Sequence, residues 1–267
     1  MLPAANPETL KHCCAGAYES DFARMLLGDS FHPGGVELTR RLGQLLELRP
    51  GVRVLDVASG RGESAIFLAK EFGCEVTGID FSPRNAQDAT ERACAAGVEH
   101  LVVFHAGDAE QIMFPAASFD CVICECAFCT FPGKAAAARE FARVLRPNGR
   151  VGISDLTRRG ALPIDLESLI SWIACIADAL PISEYVASFE AASFVVSTIE
   201  PHDQCLMRMA RDIQSKLLGI ELLHGLKKLD LPDVDLSQAK QFARAAVKAI
   251  QDGVLGYSLF TAERRSS

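Results

Sequence analysis

Short apolar runs alternate with helix-spaced apolar positions along this chain. A strand pattern at 52–56 is followed by a turn of small residues, a helical pattern at 63–73 and a second strand pattern at 74–80. Five further strand patterns lie at 101–104, 120–124, 151–154, 194–199 and 255–261. This alternation predicts an α/β fold, a Rossmann-like seven-stranded and mostly parallel sheet covered by helices.

The remaining helix-spaced segments predict helices before, between and after the strands. They lie at 7–27, 36–48, 134–145, 166–179, 183–192, 203–229 and 236–252. We interpret residues 1–267 as a single domain with four parts. These are an N-terminal helical cover at 1–49, a Rossmann-like core at 50–200, a helical insertion at 201–253, and a last strand and tail at 254–267. The insertion is either a cap or an interface.

Composition narrows the function classes. The chain has 267 residues, 49% of them hydrophobic, which is enough to bury a substantial core. A net charge of −7, with no basic cluster containing interleaved aromatic residues, argues against nucleic-acid binding. The sequence shows neither a signal-peptide pattern nor an apolar run of membrane-spanning length, so we predict a cytoplasmic protein without a membrane partner. Its oligomeric state stays open.

The first turn and the acids that follow the strands predict a nucleoside site. Gly60 and Gly62 permit positive φ and close approach of a ligand, and Asp80 at the end of the second strand can accept hydrogen bonds from ribose hydroxyls. GRGESA at 60–65 also fits the dinucleotide fingerprint. However, Asp56 would repel a pyrophosphate and attract an ammonium group, and Asp108 can accept from an adenine amine. These acids favour S-adenosylmethionine over NAD.

The motifs DVASGRG, GIDFS, GDAEQIMFPAASFD and RVLRPNGRVGISD resemble those of class I S-adenosylmethionine-dependent methyltransferases over about residues 36–156. Ala58 stands where the family usually has its first glycine. The resemblance implies S-adenosylmethionine as cofactor and three groups of contacts: Asp56, Gly60 and Gly62 at the methionine portion, Asp80 and Phe81 at the ribose and adenine, and Gly107, Asp108 and Ala109 at the base. Tyr18 is a further cofactor candidate, since aromatic rings attract a sulfonium, although helix packing explains it equally well.

The ten cysteines should be reduced thiols in such a protein. We assign Cys74, Cys94 and Cys121 to packing. VICECAFCTF at 122–131 crosses the carboxyl end of the fourth strand, where α/β sheets bind ligands, but it lacks a second cysteine pair at zinc spacing, so we predict no metal site. Packing within this loop remains an alternative for these cysteines.

Two segments also resemble arsenite methyltransferases. They are VICECAFCTFPGKAAAAREFARVLRPNGRVGISDL and WIACIADALPISEYVASFEAASF. The resemblance implies that Cys126 and Cys175 hold trivalent arsenic, which prefers sulfur ligands, for direct methyl transfer. Cys13 or Cys14 is a candidate third ligand, and adjacent helical side chains point about 100° apart, so only one of them could join.

The sequence therefore predicts a methyltransferase for a small molecule, with a thiol-bound trivalent arsenical or related metalloid as the leading acceptor. An organic carbon, oxygen or nitrogen nucleophile is the main alternative. A non-catalytic S-adenosylmethionine-binding module is the alternative from another class, and an NAD-dependent dehydrogenase ranks below it.

Overall fold

The structure is a computed structural model that describes residues 6–28, 31–163, 166, 176–226 and 235–266. Seven strands form one sheet. They are β1 Arg53–Val57, β2 Glu75–Asp80, β3 Val102–Ala106, β4 Phe119–Glu125, β5 Leu145–Arg158, β6 Phe194–Pro201 and β7 Leu255–Arg264. The predicted Rossmann-like fold is confirmed.

The strand order is β3-β2-β1-β4-β5-β7-β6, and β7 alone among these strands runs antiparallel to its neighbours. In this register Asp56 of β1 pairs with Gly78 of β2 on one side and Ile123 of β4 on the other. The carboxyl ends of β1, β2 and β4 therefore meet at one edge, where open parallel sheets bind their ligands.

Nine α-helices within the described residues surround this sheet. They are α1 Pro7–Glu19, α2 Asp21–Leu27, α3 Gly35–Leu45, α4 Glu63–Phe72, α5 Pro83–Ala95, α6 Lys134–Val144, α7 Ile182–Ala191, α8 Asp203–Gly225 and α9 Leu236–Gln251. The insertion helices α8 and α9 contact each other and β7, and α8 also contacts α2. No helix in these ranges combines the length and the apolarity needed to cross a membrane.

The N-terminal segment is two helices, so the prediction of one continuous helix over 7–27 is wrong. Ser20 adopts an extended conformation at the end of α1. Its hydroxyl donates to the carbonyl of Ala17 and accepts from the amide of Ala23, which ends α1 and caps the start of α2.

Two other elements differ from the sequence interpretation. Strand β5 covers Leu145–Arg158 instead of 151–154, since the long strand β7 pairs with it from Arg150 to Arg158. Helix α5 was not predicted. It begins with Ser82, whose hydroxyl accepts from the amide of Asn85, and with a proline at the first position, which are two ordinary helix-start signals.

Aromatic side chains dominate the core on the β5 side of the sheet. Phe189 of α7 has its ring centroid 5.1 Å from those of Phe128 and Phe260 and 5.4 Å from that of Phe194. All four side chains are fully buried, so this cluster fixes α7 against the sheet.

Replacing Phe189 with alanine should therefore lower the free energy of unfolding by about 3–5 kcal/mol, because it leaves a cavity among these rings. Urea denaturation measures the change. The matched control is V195A in the adjacent strand, where the side chain is 48% exposed, and we expect a change within about 0.5 kcal/mol. Equal effects of the two substitutions would contradict this description of the core.

Candidate functional site

A pocket opens at the sheet edge where β1, β2 and β4 end. Its lining comes from α1, the turn after β1, the ends of β2 and β4, and the loop after β3. It is lined by Lys11, Cys14, Ala15, Tyr18, Phe31, His32, Asp56, Ala58, Ser59, Gly60, Arg61, Glu63, Ser64, Asp80, Phe81, Asn85, Gly107, Asp108, Ala109, Glu125, Cys126, Ala127, Thr130 and Phe131. Nine of the eleven predicted cofactor and substrate residues thus share one pocket. Gly62 does not line it, and Cys175 lies outside the described residues.

Asp56 lies at the bottom of this pocket. It is 2% exposed, and its Oδ2 atom has no hydrogen-bond partner among the described residues. Burial raises the pKa of Asp56 well above its ordinary value, and the carboxylates of Glu125 and Asp80 raise it further. This buried carboxylate therefore lacks a cation or a hydrogen-bond donor. The ammonium group of an amino acid would supply both.

The turn after β1 brings the backbone close to the pocket. Ala58, Gly60 and Gly62 all have positive φ, at 58°, 52° and 78°. Ala58 thus adopts the left-handed conformation in place of the glycine usual in the resembled family, at some cost in strain. Gly62 does not line the pocket, and a Cβ there would lie 2.5 Å from Cζ of Phe104. Packing against Phe104 and the positive φ required by the turn therefore explain why this residue is a glycine.

Asp80 organises the neighbouring part of the pocket. Its carboxylate accepts from the amides of Gly60 and Ser82, at 2.8 and 2.9 Å, and from Nδ2 of Asn85 at 3.2 Å. Burial raises the pKa of Asp80, while these three donors act in the opposite direction. Phe81 also lines the pocket, and its ring contacts the ring of His12 on α1.

Asp108 lies in the loop after β3 with Gly107 and Ala109, all three in the lining. Its Oδ1 accepts from the amide of Glu110, and its Oδ2 accepts from Nζ of Lys11 at 2.7 Å. Lys11 also lies 2.8 Å from Oε2 of Glu110. Helix α1 is therefore fastened across the pocket by an ion pair to two carboxylates. Sequence reasoning missed Lys11, because nothing local indicates its distant partners.

A polar network surrounds Glu125 at the end of β4. Its Oε2 accepts from the hydroxyls of Thr39 and Ser64, at 2.9 and 2.7 Å, and lies 3.7 Å from Nε2 of His32. Its Oε1 accepts from Oγ of Ser154 at 3.3 Å. The partners in this network come from α3, α4 and β5, so no local sequence pattern indicates it.

A second, larger cavity of about 510 Å³ adjoins the first. Tyr18, Phe31 and Cys126 line both. The rest of its wall comes largely from α2 and from the insertion helices α8 and α9. The insertion therefore forms part of a cavity wall.

The structure separates the cysteines into groups. Cys126 has φ of 54° and lines both cavities, Cys14 lines the first, and Cys13 is exposed. Cys175 lies outside the described residues. Among the cysteines assigned to packing, Cys74 and Cys121 are buried, but Cys94 is exposed, so that assignment is wrong for Cys94. The described part of the chain holds no group of three or more metal-ligating side chains.

The first pocket fits S-adenosylmethionine. Four buried polar side-chain atoms in its lining have no partner among the described residues, namely Asp56 Oδ2, Ser59 Oγ, Glu63 Oε2 and Asn85 Oδ1. Buried polar groups are normally paired, so their concentration here indicates a polar ligand. Asp56 would hold the ammonium group, Asp80 the ribose, and the loop containing Asp108 the base.

Comparison with known proteins gives a consistent result. Residues 54–149 match the family model described as "Methyltransferase domain". The chain is 29% identical over 260 residues to the 27-O-demethylrifamycin SV methyltransferase of Amycolatopsis mediterranei (strain S699), covering 92% of this chain and 93% of that protein. It is 36% identical over 138 residues to the nocamycin O-methyltransferase of Saccharothrix syringae, covering 51% and 46%.

Solved structures share the fold. The geranyl diphosphate C-methyltransferase from Streptomyces coelicolor A3(2), solved with S-adenosyl-L-homocysteine, superposes with a TM-score of 0.78 at 16% identity. The superposition covers 98% of this chain and 100% of that one.

The raised pKa of Asp56 predicts how pH affects the stability of the cofactor-free protein. A raised pKa means that the folded state binds a proton more tightly than the unfolded state, so stability falls as pH rises above the ordinary carboxyl value of about 4. D56N should therefore have a higher melting temperature than the wild type at about pH 8, with the difference shrinking towards pH 4. Thermal unfolding at several pH values measures this.

The same substitution should weaken cofactor binding by about tenfold or more, since it removes the charged acceptor for the ammonium group. The matched control is D212N, because the side chain of Asp212 is 60% exposed, and it should change neither property. A lower melting temperature of D56N at about pH 8 would contradict the description of Asp56 as a desolvated carboxylate.

Proposed function

We propose that this S-adenosylmethionine-dependent methyltransferase, which carries a class I methyltransferase domain, methylates a carbon, oxygen or nitrogen atom of a neutral, largely apolar organic small molecule. The observation that supports this most is the cavity of about 510 Å³ that adjoins the cofactor pocket. Its volume lies within the range of small-molecule sites.

The wall of this cavity indicates the chemistry of the acceptor. Aliphatic and aromatic side chains predominate, among them Phe22, Leu26, Met209, Ile213 and Phe242. No lysine, arginine or histidine belongs to the described lining. An acceptor with phosphate or another buried anionic group would therefore lack a counter-charge. A neutral acceptor with an apolar body fits this wall.

The cofactor, when bound, supplies an electrophilic methyl group. The protein's own residues supply binding and alignment. Tyr18, Phe31 and Cys126 line both spaces and so define where donor and acceptor meet. Helix α1, which Lys11 links to Asp108 and Glu110 by ion pairs, forms part of the pocket wall. Holding the two reactants in line accounts for much of the acceleration expected for a direct displacement.

Oxygen is the first acceptor atom to test. The two relatives named above are, by their names, methyltransferases for a 27-O-demethyl compound and for an oxygen atom. The first of them is similar over nearly the whole of this chain, including the segments that build the apolar cavity.

A thiolate-bound trivalent arsenical is the second candidate acceptor. It is favoured by one observation, that Cys14 and Cys126 line the same pocket, which would give two sulfur ligands beside the cofactor. Trivalent arsenic prefers sulfur and keeps a lone pair for the methyl group. Cys175, the other residue implied by the resemblance, would be the third ligand in this proposal.

Filling the apolar cavity should separate acceptor binding from cofactor binding. In A210F a larger ring projects from α8 into the cavity, so we expect at least about a tenfold rise in KM for an apolar hydroxyl-bearing acceptor, as overpacking costs about 1–3 kcal/mol. The dissociation constant of S-adenosylmethionine should stay within about twofold of the wild-type value. Turnover of an acceptor panel and calorimetry measure the two quantities.

The matched control is L218F, on the same helix but at a side chain that is 57% exposed and outside the cavity lining. It should leave both quantities unchanged. Methylation confined to charged acceptors, or an unchanged KM in A210F, would refute the neutral apolar acceptor.

The thiolate candidate has its own test. C126S and C14S should each reduce methylation of arsenite in the presence of glutathione by at least about a hundredfold if both sulfurs bind arsenic, since serine oxygen is a poor ligand for this soft centre. Methylation of an organic acceptor should be reduced by less than about fivefold. C94S, at an exposed position, is the control. Retention of arsenite methylation in C126S and C14S would exclude these thiolates as ligands.

A further inference from the structure

We propose that Glu125 makes the cofactor pocket selective for the cationic methyl donor over its neutral product, S-adenosylhomocysteine. Glu125 would thus be a specificity-determining residue for the cofactor. The proposal rests on the proposed function, in which the acceptor occupies the second cavity, but not on which acceptor is methylated.

Glu125 carries a fixed and buried carboxylate. Its side chain is 4% exposed, and hydroxyls of Thr39 and Ser64 donate to one oxygen while that of Ser154 donates to the other. The phenol of Tyr257 donates in turn to Oγ of Ser154, at 3.1 Å. Donors from α3, α4 and β5 therefore hold the carboxylate in one orientation.

Glu125 lines the cofactor pocket close to residues that line both cavities. Its chain neighbour Cys126 lines both cavities. Its network partner His32 is the chain neighbour of Phe31, which also lines both. The network thus lies directly behind the boundary across which the methyl group must pass, and Glu125 itself lines the cofactor side of that boundary.

Among the described residues, no lysine or arginine forms an ion pair with the Glu125 carboxylate. Of the two basic side chains in the lining, Lys11 is paired with Asp108 and Glu110, and Arg61 lies 3.4 Å from Asp88. Nε2 of His32 lies 3.7 Å from Oε2 of Glu125.

S-adenosylmethionine carries one more positive charge than S-adenosylhomocysteine, because its sulfur is a sulfonium. A carboxylate as buried as that of Glu125 attracts a nearby positive charge more than it would in bulk solvent. The product, which lacks the charge, loses this attraction on methyl transfer. The consequence is weak retention of the product.

Calorimetry with three ligands tests the proposal without an acceptor. At about pH 8 the wild type should bind S-adenosylmethionine and sinefungin, whose amine replaces the methylated sulfonium, about tenfold more tightly than S-adenosylhomocysteine. E125Q keeps the shape of the side chain and removes its charge. It should reduce this selectivity by about fivefold, with most of the loss in the two cationic ligands.

The matched control is D108N, which also removes one carboxylate from the lining but at the loop expected to hold the base. It should weaken all three ligands and change their ratio by less than about twofold. A merely structural role for Glu125 would likewise weaken all three together, and that result in E125Q would overturn the proposal. Equal or tighter binding of S-adenosylhomocysteine by the wild type would overturn it even if E125Q failed to fold.

Discussion

The desolvation of three carboxylates at one edge of the sheet governs the arrangement of the site. Asp56, Asp80 and Glu125 lie at the carboxyl ends of three neighbouring parallel strands, so the register of the sheet brings them together and away from water. Burying a charge without partners costs free energy, and the surrounding groups reduce this cost by donating hydrogen bonds to the carboxylates. Backbone amides donate to Asp80, hydroxyls donate to Glu125, and Asp56 retains an unsatisfied oxygen that suits a cationic ligand.

The same constraint explains the contrast between the two cavities. The cofactor pocket is built on the strand ends, where acidic and backbone groups converge, whereas the second cavity is built mainly from helices that present apolar faces. Tyr18, Phe31 and Cys126 belong to both walls. A charged methyl donor in the polar pocket would therefore meet an uncharged acceptor in the apolar cavity at these three residues. In the function that we propose, the insertion thereby adds an acceptor cavity to a nucleoside-binding fold.

Local patterns predicted much of the fold. The strands that end at Asp56, Asp80 and Glu125 are short apolar runs whose hydrophobicity reflects burial on both faces, and this signal needs no information from distant residues. The errors occurred where a side chain decides the local backbone. Ser20 ends α1 through two hydrogen bonds, and Ser82 caps the start of α5. The spacing of hydrophobic residues indicates neither of these helix ends.

The sequence by itself determined the nucleoside-binding turn and the acids that follow the strands, because strand ends and glycine turns are local and parallel strands bring their carboxyl ends together. Only the tertiary structure decided which side chains complete the site. Lys11 lies 97 residues before its partner Asp108, and Thr39 lies 86 residues before Glu125. It likewise showed that Gly62 faces Phe104 rather than the pocket, and that α2, α8 and α9 enclose an apolar cavity. Such contacts depend on how distant elements pack, and the periodicity of one segment carries no information about the face that another presents to it.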